Sequence, residues 1–184
     1  MIETNGFSAS LDYTFQIAKG SASDPQQARN AIAGGSLPEI QLTPLDWDQR
    51  NTVNMSLAYD RANWGISGIG QFGSGLPYTP LSTEDISSLV LNSGKKPLTW
   101  NVDLKGYFIP RDGLRLFIRA ENIFDRLNPY TVYDDSGVAD FTRWENIAKS
   151  QNTGEPINSI SKWFLNETFY SNPRRIELGL SYVF

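Results

Sequence analysis

The sequence lacks two residue types on which much protein chemistry depends, since it has no cysteine and no histidine. Without cysteine, disulfide frameworks, thiolate zinc sites and cysteine nucleophiles are excluded. Without histidine, serine–histidine–aspartate triads and histidine-based zinc motifs are excluded, and the commonest general base is missing. Because the familiar catalytic arrangements depend on these two residues, we expect no enzymatic activity.

A basic surplus and long apolar runs are missing too. The 184 residues include 16 Lys and Arg against 20 Asp and Glu, a net charge of −4, whereas a nucleic-acid-binding domain should show a basic face. No run of about 18 apolar residues occurs, so no transmembrane helix is predicted. Residues 1–6 have neither the basic nor the apolar region of a signal peptide. The mean hydropathy of −0.36 does not exclude a barrel wall, because only alternate residues of a barrel strand face lipid.

What the sequence does contain is an alternation of apolar and polar residues with a period of two. From Phe7 to Ile17 every odd position is apolar and every even position is polar. A helix would distribute these side chains around its surface, whereas a strand separates them onto two faces. In the strand expected at 64–72, which is glycine-rich, Ile69 falls on the polar side. The same alternation predicts four further strands, at about 53–60, 100–108, 114–121 and 176–184.

The predicted strands are joined by connections of unequal length. Residues 60–63 and 110–113 form short turns, while about 20–47, 76–98 and 126–172 form long loops. In an antiparallel up-and-down meander, the short turns then share one edge of the sheet and the long loops share the other. Outer-membrane barrels have this asymmetry, with short periplasmic turns and long extracellular loops.

Alternation alone leaves a soluble β-sandwich and a membrane barrel open, because a sandwich strand also has one buried and one wet face. The predicted strands are longer than the five to six residues usual in soluble sheets and approach the roughly 9–11 that a tilted membrane strand needs. Aromatic residues of the apolar side also gather near both strand ends, as in the interfacial belts of barrels. The belt residues are Phe7, Tyr59, Trp64, Phe108, Tyr182 and Phe184 beside the short turns, and Tyr13, Phe15, Phe72, Trp100 and Phe124 toward the long loops.

Four short segments, followed by the C-terminal residues, carry a family resemblance. The segments are 44–50 (PLDWDQR), 73–80 (GSGLPYTP), 120–126 (AENIFDR) and 172–180 (NPRRIELGL). In this order they resemble the end of the barrel in bacterial TonB-dependent outer-membrane receptors, although Asn51 stands where members of that family often carry His. The last four residues (SYVF) resemble the C-terminal signature of outer-membrane barrels, whose final aromatic residue, here Phe184, helps the barrel-assembly machinery to recognise the chain.

The resemblance implies an all-β fold in which 1–184 is one partial transmembrane domain, about six long antiparallel strands at the end of a barrel of about 22 strands. The plug domain, the segment that contacts the TonB complex and the signal peptide are then expected upstream of Met1. The implied function is active uptake of a scarce nutrient, of the siderophore, vitamin or oligosaccharide class, across the bacterial outer membrane. The implied partners are outer-membrane lipid, the rest of the barrel with its plug, the TonB complex and the assembly machinery, with no cofactor and no nucleic acid.

Two alternatives remain at the level of the sequence. The first is a complete small outer-membrane barrel, which would need two more strands within 126–172, a stretch that is mostly polar. The second is a soluble β-sandwich that binds carbohydrate through exposed aromatic side chains. The two differ in what covers the apolar face: lipid in the barrel, a second sheet in the sandwich.

Charged residues on the polar side of the strands are expected to face the hydrated interior of such a barrel. We expect Phe108 to lie opposite Leu114 across the tight turn. Asp103 would then lie opposite Arg119 and pair with it. A catalytic pair of carboxylates would need a fixed separation and a pocket, which the sequence does not give. The expected interior-facing charges are Asp103, Lys105, Arg115, Arg119, Glu121 and Glu177.

Other motifs in the sequence are weaker. Acidic residues within 134–140 offer oxygen atoms to a hard cation, but Asp-Ser-Gly is a common turn sequence, so we predict a turn and no metal site. Residues 68–73 match GxGxxG, yet residues 74–77 (SGLP) cannot begin the helix that a dinucleotide site needs, so we assign the motif to a strand. Aromatic residues in the long loops either stack on a ligand or pin the loops in place. The candidates for ligand contact are Trp47, Tyr78, Tyr133 and Trp144.

Overall fold

The structure, a computed structural model, describes residues 2–24, 26–37, 40–81, 90–151, 162 and 164–183. The described residues form mainly antiparallel strands, with short helices in the loops. None of the described helices is both long and apolar enough to cross a membrane. In chain order the elements are β1 (Ile2–Thr4), β2 (Phe7–Phe15), β3 (Lys19–Gly20), α1 (Gln27–Ala33), β4 (Thr43–Pro44), β5 (Asn51–Asp60), β6 (Trp64–Gly73), β7 (Pro77–Tyr78), β8 (Gly94–Lys95), β9 (Thr99–Arg111), β10 (Leu114–Glu121), α2 (Arg143–Gln151), a 3-10 turn (Glu167–Phe169) and β11 (Arg175–Tyr182).

Seven strands form one sheet in the order β1-β2-β5-β6-β9-β10-β11. All neighbouring pairs are antiparallel, and each long strand pairs with the long strand before or after it along the chain. The remaining short strands, β3 with β4 and β7 with β8, form two small ribbons within the loops. The predicted all-β meander with six long strands is therefore confirmed, with β1 as an additional short strand at one edge.

The pairing register continues the alternation from strand to strand. Leu57 lies opposite Ala9 on one side and Gly68 on the other. In the neighbouring row, Ser56 lies opposite Ser10 and Ile69. Since successive side chains of a strand point to opposite faces, the sheet has one apolar and one polar face. Ile69 lies on the polar face, as predicted.

The apolar face is not covered by a second layer. Leu11, Leu57 and Leu178, in three different strands, are 68%, 41% and 79% exposed. The buried apolar residues of the described part of the chain are Val132 and Ala139, and both lie in the loop between β10 and β11 rather than against the sheet. A β-sandwich requires a second sheet on this face, and the described residues do not supply one.

The turn between β9 and β10 is shorter than predicted. Arg111 pairs with Leu114, so Asp112 and Gly113 alone form the loop, and Gly113 has a φ of 80°, which a residue without a Cβ adopts readily. Pro110 belongs to β9 rather than to the turn. It lies where the register of the two strands shifts, one of the few positions in a sheet at which the missing N–H of proline is tolerated.

This shorter turn corrects the predicted register. Phe108 lies opposite Leu116, and Lys105 lies opposite Arg119. The predicted pairing of Asp103 with Arg119 is therefore wrong. The predicted pairing of Phe108 with Leu114 leaves five residues between them, whereas the observed loop has two and the register shift beside Pro110 adds one residue to β9. The net displacement is two positions, which preserves the face of every side chain but changes each cross-strand partner.

The long loop between β10 and β11 contains helix rather than sheet. Within 126–172 the described residues form α2, the 3-10 turn and an isolated bridge between Pro129 and Tyr170, with no further strand. The complete small barrel would need two strands here, and the described part of the loop does not provide them. Phe184, the predicted assembly signal, lies outside the described residues.

Candidate functional site

The six charged side chains predicted to share a face do so. Arg119, in the centre of β10, lies opposite Lys105 of β9 and Glu177 of β11. Its guanidinium is 3.7 Å from Glu177 and 4.0 Å from Glu121. These groups are partly exposed, and pairs of that kind contribute about 0–1 kcal/mol each. They therefore give the polar face an exposed row of mixed charge rather than a rigid core.

Asp103 is held in place by amides instead of by Arg119. Its Oδ1 accepts hydrogen bonds from the Asn101 side chain and from the backbone N–H of Asn122, both at 2.8 Å. The second of these bonds crosses from β9 to the first residue after β10. Asp103 thus fixes the beginning of the long β10–β11 loop, a role that the sequence did not indicate.

Near the short-turn edge of the polar face, the Tyr107 ring covers a glycine. The Tyr107 hydroxyl donates to Asp60 at 2.8 Å, and the Arg115 guanidinium lies 4.0 Å from the centre of the Tyr107 ring. The ring packs over Gly65, and a Cβ at that position would collide with it. Arg115, predicted as an interior-facing charge, is therefore placed on the polar face by its contact with the ring.

At the opposite edge, two buried asparagines join the strand ends to the long loop; we call Asn122, Asn128 and Ser171 the asparagine junction. The Asn122 side chain accepts from Arg126 N–H at 3.0 Å and donates to the carbonyls of Arg126 and Asn172 at 2.9 and 3.1 Å. Its φ of 50° is one that asparagine adopts more readily than most residues.

Asn128 completes the asparagine junction on the β9 side. Its side chain accepts from Trp100 N–H at 3.0 Å and donates to the Trp100 carbonyl at 2.8 Å. The side-chain amide therefore makes the two hydrogen bonds that the backbone of a neighbouring strand would make. Ser171 accepts from Asn128 N–H at 3.0 Å. Two of the segments that carry the family resemblance, 120–126 and 172–180, therefore meet in space at this junction.

A second junction lies where the first long loop enters β5; we call Asp48, Arg50 and Ala18 the aspartate junction. The Asp48 carboxylate is fully buried and accepts from Ala18 N–H and from Arg50 Nε, both at 2.8 Å. Burial by itself would raise the pKa of this carboxyl, but the two hydrogen bonds and the charges of Arg50 and Lys95 outweigh it and hold the pKa below its usual 3.8.

The other two segments of the resemblance meet beside the aspartate junction. Gln49 Nε2 donates to the Ser74 carbonyl at 2.9 Å. Ser74 in turn accepts through its hydroxyl from Asn51 N–H at 3.0 Å and donates its own N–H to the Asn51 carbonyl at 2.9 Å. All four segments are therefore places where side chains satisfy the backbone at the ends of strands.

The long loops are also tied to one another. Asn92 donates to the Pro44 carbonyl at 2.8 Å and to Asp46 at 2.7 Å, which joins the second long loop to the first. Lys96 Nζ donates to the Tyr130 carbonyl at 2.9 Å, which joins the second to the third. The three loops therefore form one connected layer along their edge of the sheet.

Of the four predicted ligand-contact aromatics, two are used in packing. Tyr78 packs against Gly94 and Gly137, while Tyr133 donates to the Phe164 carbonyl and its ring centre lies 5.0 Å from that of Phe169. Burial, followed by the nearby carboxylates, raises the pKa of Tyr133 above its usual value. These two positions favour the loop-pinning interpretation.

The other two aromatics, Trp47 and Trp144, are 52% and 54% exposed. Trp47 lies beside the aspartate junction, where its carbonyl accepts from the Gln16 side chain at 2.7 Å. Trp144 lies in the first turn of α2. Both side chains are accessible, and their contact with a ligand stays a prediction.

The acidic segment 134–140 forms a turn that precedes α2. Gly137 N–H donates to the Tyr133 carbonyl at 2.8 Å, while Asp135 accepts from the Thr142 hydroxyl and from Arg143 N–H at 2.8 and 2.7 Å. Asp135 thus stabilises the helix start, where a negative charge is favourable. Among the described residues no group of three or more acidic side chains is arranged to hold a metal ion.

A polar cavity of about 380 Å³ opens between the asparagine junction and the polar face. Asn101 Oδ1 is buried beside it and makes no hydrogen bond within the described structure. The lining contains carboxylates, which accept hydrogen bonds, and guanidinium groups, which donate them, so it suits a polar group that can do both. Its side chains are Gln71, Asn101, Asp103, Glu121, Arg174 and Arg175 among others.

The apolar face carries the two predicted belts of aromatic rings. At the short-turn edge the ring centres of Tyr59 and Trp64 are 5.6 Å apart, and at the long-loop edge those of Trp100 and Phe124 are 5.4 Å apart. Arg61, Arg111 and Arg126 extend over belt rings at these edges. The sequence did not indicate these contacts, although each arginine follows a belt residue closely in the chain.

Comparisons of this chain with known protein families, with curated proteins and with solved structures found no match.

Proposed function

We propose that this chain is the C-terminal barrel wall of a TonB-dependent outer-membrane receptor that takes up a scarce nutrient of the siderophore, vitamin or oligosaccharide class. The observation that carries the proposal is an uncovered apolar face, framed by aromatic residues at both edges, on a sheet whose other face is polar. The residues of the two faces come from all six long strands, and the pairing register places them on opposite sides of one sheet.

The energetics of the apolar face favour a lipid environment. Each large apolar side chain left in water forgoes about 1.5–3 kcal/mol relative to full burial, and contiguous exposed patches of this extent are rare on soluble monomers. Hydrocarbon tails remove that cost along the whole face at once. The exposed large apolar side chains on this face include Leu11, Met55, Leu57, Ile66, Leu116, Ile118, Leu178 and Leu180.

The polar face favours a hydrated interior. Its central row carries Lys105, Arg119 and Glu177 with partial exposure, which hydrocarbon would disfavour and water or a polar plug domain would accommodate. Charges of both signs are mixed rather than segregated. Such a surface suits contact with a plug that has its own polar residues.

The layer of tied loops suits the extracellular side in this proposal. The long loops would otherwise be free to occlude the strand ends, and the two junctions hold them beside the sheet with buried hydrogen bonds. Trp47 and Trp144 then offer exposed aromatic surface to an incoming nutrient. Selectivity would come from this layer together with the plug.

Lipid contact is tested by cysteine scanning, for which this chain offers a background without native cysteine. Adjacent positions in β11, Glu177 and Leu178, are each replaced by Cys in the protein expressed from its complete reading frame, with Ser in place of any cysteine outside these 184 residues. The variants are reconstituted in phosphatidylcholine vesicles. A bimane label at Leu178→Cys should be quenched by nitroxide-labelled lipid and one at Glu177→Cys should not. The same contrast is expected for Met55→Cys against Asn54→Cys in β5.

Equal quenching at adjacent positions, or none at Leu178→Cys, would contradict the proposal. Uptake is tested separately, with cells that lack TonB or are treated with a protonophore. Accumulation of the transported nutrient should then stop while surface binding continues. Energy-independent accumulation would leave the barrel wall in place but overturn its assignment to a TonB-dependent receptor.

A further inference from the structure

Two arginines at the short-turn edge fold over tyrosine rings of the apolar face. The Arg61 guanidinium lies 4.9 Å from the centre of the Tyr59 ring, and the Arg111 guanidinium lies 5.7 Å from that of Tyr182. Both arginines are exposed. Because the two tyrosines belong to the apolar face, these contacts draw the guanidinium groups toward that face rather than toward the polar one.

Both arginines lie beside the aromatic belt at this edge. Arg61 N–H donates to the Trp64 carbonyl at 2.8 Å, so Arg61 stands opposite the belt residue Trp64 across the β5–β6 turn. Arg111 is the last residue of β9, three positions after the belt residue Phe108, and pairs with Leu114. Two guanidinium groups are therefore close to belt residues at the short-turn edge.

The hydrogen-bond donors of these arginines are not used within the protein. Neither guanidinium makes a hydrogen bond or an ion pair with any residue that the structure describes. Asp60, the carboxylate beside Arg61 in the chain, accepts instead from Tyr107 on the polar face. Each guanidinium thus keeps its five N–H donors available.

Arg126 provides a contrast at the other edge. It also lies over a belt ring, 5.3 Å from the centre of Trp100. Its donors, however, are used by the Asn128 side chain at 3.0 Å and the Leu98 carbonyl at 3.3 Å. Arg126 therefore holds the loop, whereas Arg61 and Arg111 face outward with unused donors.

We propose that Arg61 and Arg111 bind the phosphate groups of phospholipids in the leaflet that meets the short-turn edge, with a preference for anionic lipids. Guanidinium groups bind phosphate through two parallel hydrogen bonds, and aromatic belts lie at the depth of the headgroups. The inference rests on the proposed function, since it requires lipid on the apolar face. The chain as a whole carries a charge of −4, so attraction of anionic lipid must come from local groups.

The test compares two lipids around one label. Ile66, which lies opposite Tyr59 on the apolar face, is replaced by Cys and labelled with bimane in the complete protein. Vesicles contain equal amounts of phosphatidylcholine and phosphatidylglycerol, with the nitroxide on only one of them. At low salt we expect phosphatidylglycerol to be enriched about fivefold near the label, as expected for one arginine at a membrane surface.

The double variant Arg61→Gln/Arg111→Gln should bring the two lipids to equal quenching. The matched control Lys105→Gln/Arg115→Gln, which removes the same charge from the polar face, should keep the preference. Equal quenching by the two lipids in labelled Ile66→Cys with both arginines present would overturn the inference and leave the barrel wall intact. A preference that survives in Arg61→Gln/Arg111→Gln would do the same. No quenching by either lipid would overturn the proposed function as well.

Discussion

At the residue scale, buried polar side chains determine how the loops leave the sheet. Asp48 accepts an N–H from Ala18, which lies 30 residues earlier in the chain, and Asn122 donates to the Asn172 carbonyl, 50 residues later. Burying such groups is unfavourable unless they are hydrogen-bonded. The sequence shows these residues only as members of a family-like segment, because nothing local to them indicates a partner so far away.

Replacement of Asp48 tests the aspartate junction. Asp48→Ala leaves Ala18 N–H and the Arg50 guanidinium without their partner, which should cost about 3 kcal/mol, the usual scale for a broken buried ion pair. The amide of Ala18 should then exchange with solvent about 100-fold faster. Native-state hydrogen exchange of the complete protein measures this, with amides of β9 as an internal reference that should not change.

The pH dependence of the same amide gives a control. Because the pKa of Asp48 is lowered by folding, the stabilisation is fully present above the usual value of 3.8 and is lost as the pH falls through the lowered pKa. Protection of Ala18 should therefore decline below about pH 4. In Asp48→Asn, which keeps an acceptor but does not titrate, protection should be weaker at neutral pH and should not change with pH. A pH-dependent loss that persists in Asp48→Asn would show that another group is responsible.

At the element scale, the strands follow directly from alternation, while the turns depend on finer features. The Asn5–Gly6 pair has φ values of 52° and 83°, typical of the two-residue turn that joins β1 to β2. That hairpin was not predicted, although Asn-Gly is the strongest short signal for one. The two-residue turn at Asp112–Gly113 was predicted as a longer one because Pro110 was assigned to it rather than to a strand irregularity.

Close packing of β10 on β11 can be tested at a glycine. Gly179 lies opposite Phe117, whose ring occupies the space that a Cβ would need. Gly179→Ala should therefore destabilise the protein by about 1–3 kcal/mol, measured by reversible urea unfolding in phospholipid vesicles. Adding Phe117→Ala should recover part of that loss, since the collision is removed.

A glycine in β9, on the other side of β10, is the matched control. A Cβ at Gly106 would lie 3.5 Å from Ile118, an ordinary contact. Gly106→Ala should therefore change the free energy of unfolding by no more than about 0.5 kcal/mol. If both alanine variants were equally destabilised, glycine flexibility rather than the Phe117 ring would be the cause.

At the scale of the whole molecule, the sheet has two unlike faces. Its polar face and tied loops are arranged for water, and its apolar face is left uncovered by the described residues. The junctions lie along one edge and the short turns along the other, so the three regions (apolar face, polar face and loop layer) have distinct surroundings. The change in the free energy of unfolding caused by a new charged side chain should therefore depend on the face on which it lies.

Adjacent residues of β5 provide the comparison, because Leu57 faces the apolar side and Ala58 the polar side. Leu57→Arg should destabilise the protein in a bilayer by about 2–4 kcal/mol, the cost of an arginine at the membrane midplane. Ala58→Arg should cost less than about 1 kcal/mol. Urea unfolding in vesicles measures both, and a similar loss for the two variants would argue against lipid on one face only.

The sequence by itself determined the class of fold, the six long strands, the face of each side chain and the edge to which each connection belongs. It could do so because a strand points successive side chains to opposite faces, so that a local pattern encodes burial. The belts and the charged row followed from the same rule.

Only the tertiary structure decided the cross-strand partners, the two junctions and the fate of the loop aromatics. Partners depend on the length of the β9–β10 turn together with the register shift beside Pro110, and the junctions join groups that are distant in the chain. Tyr78 and Tyr133 are packed, while Trp47 and Trp144 are exposed, because long loops are positioned by the neighbours they meet in space rather than by their own sequence pattern.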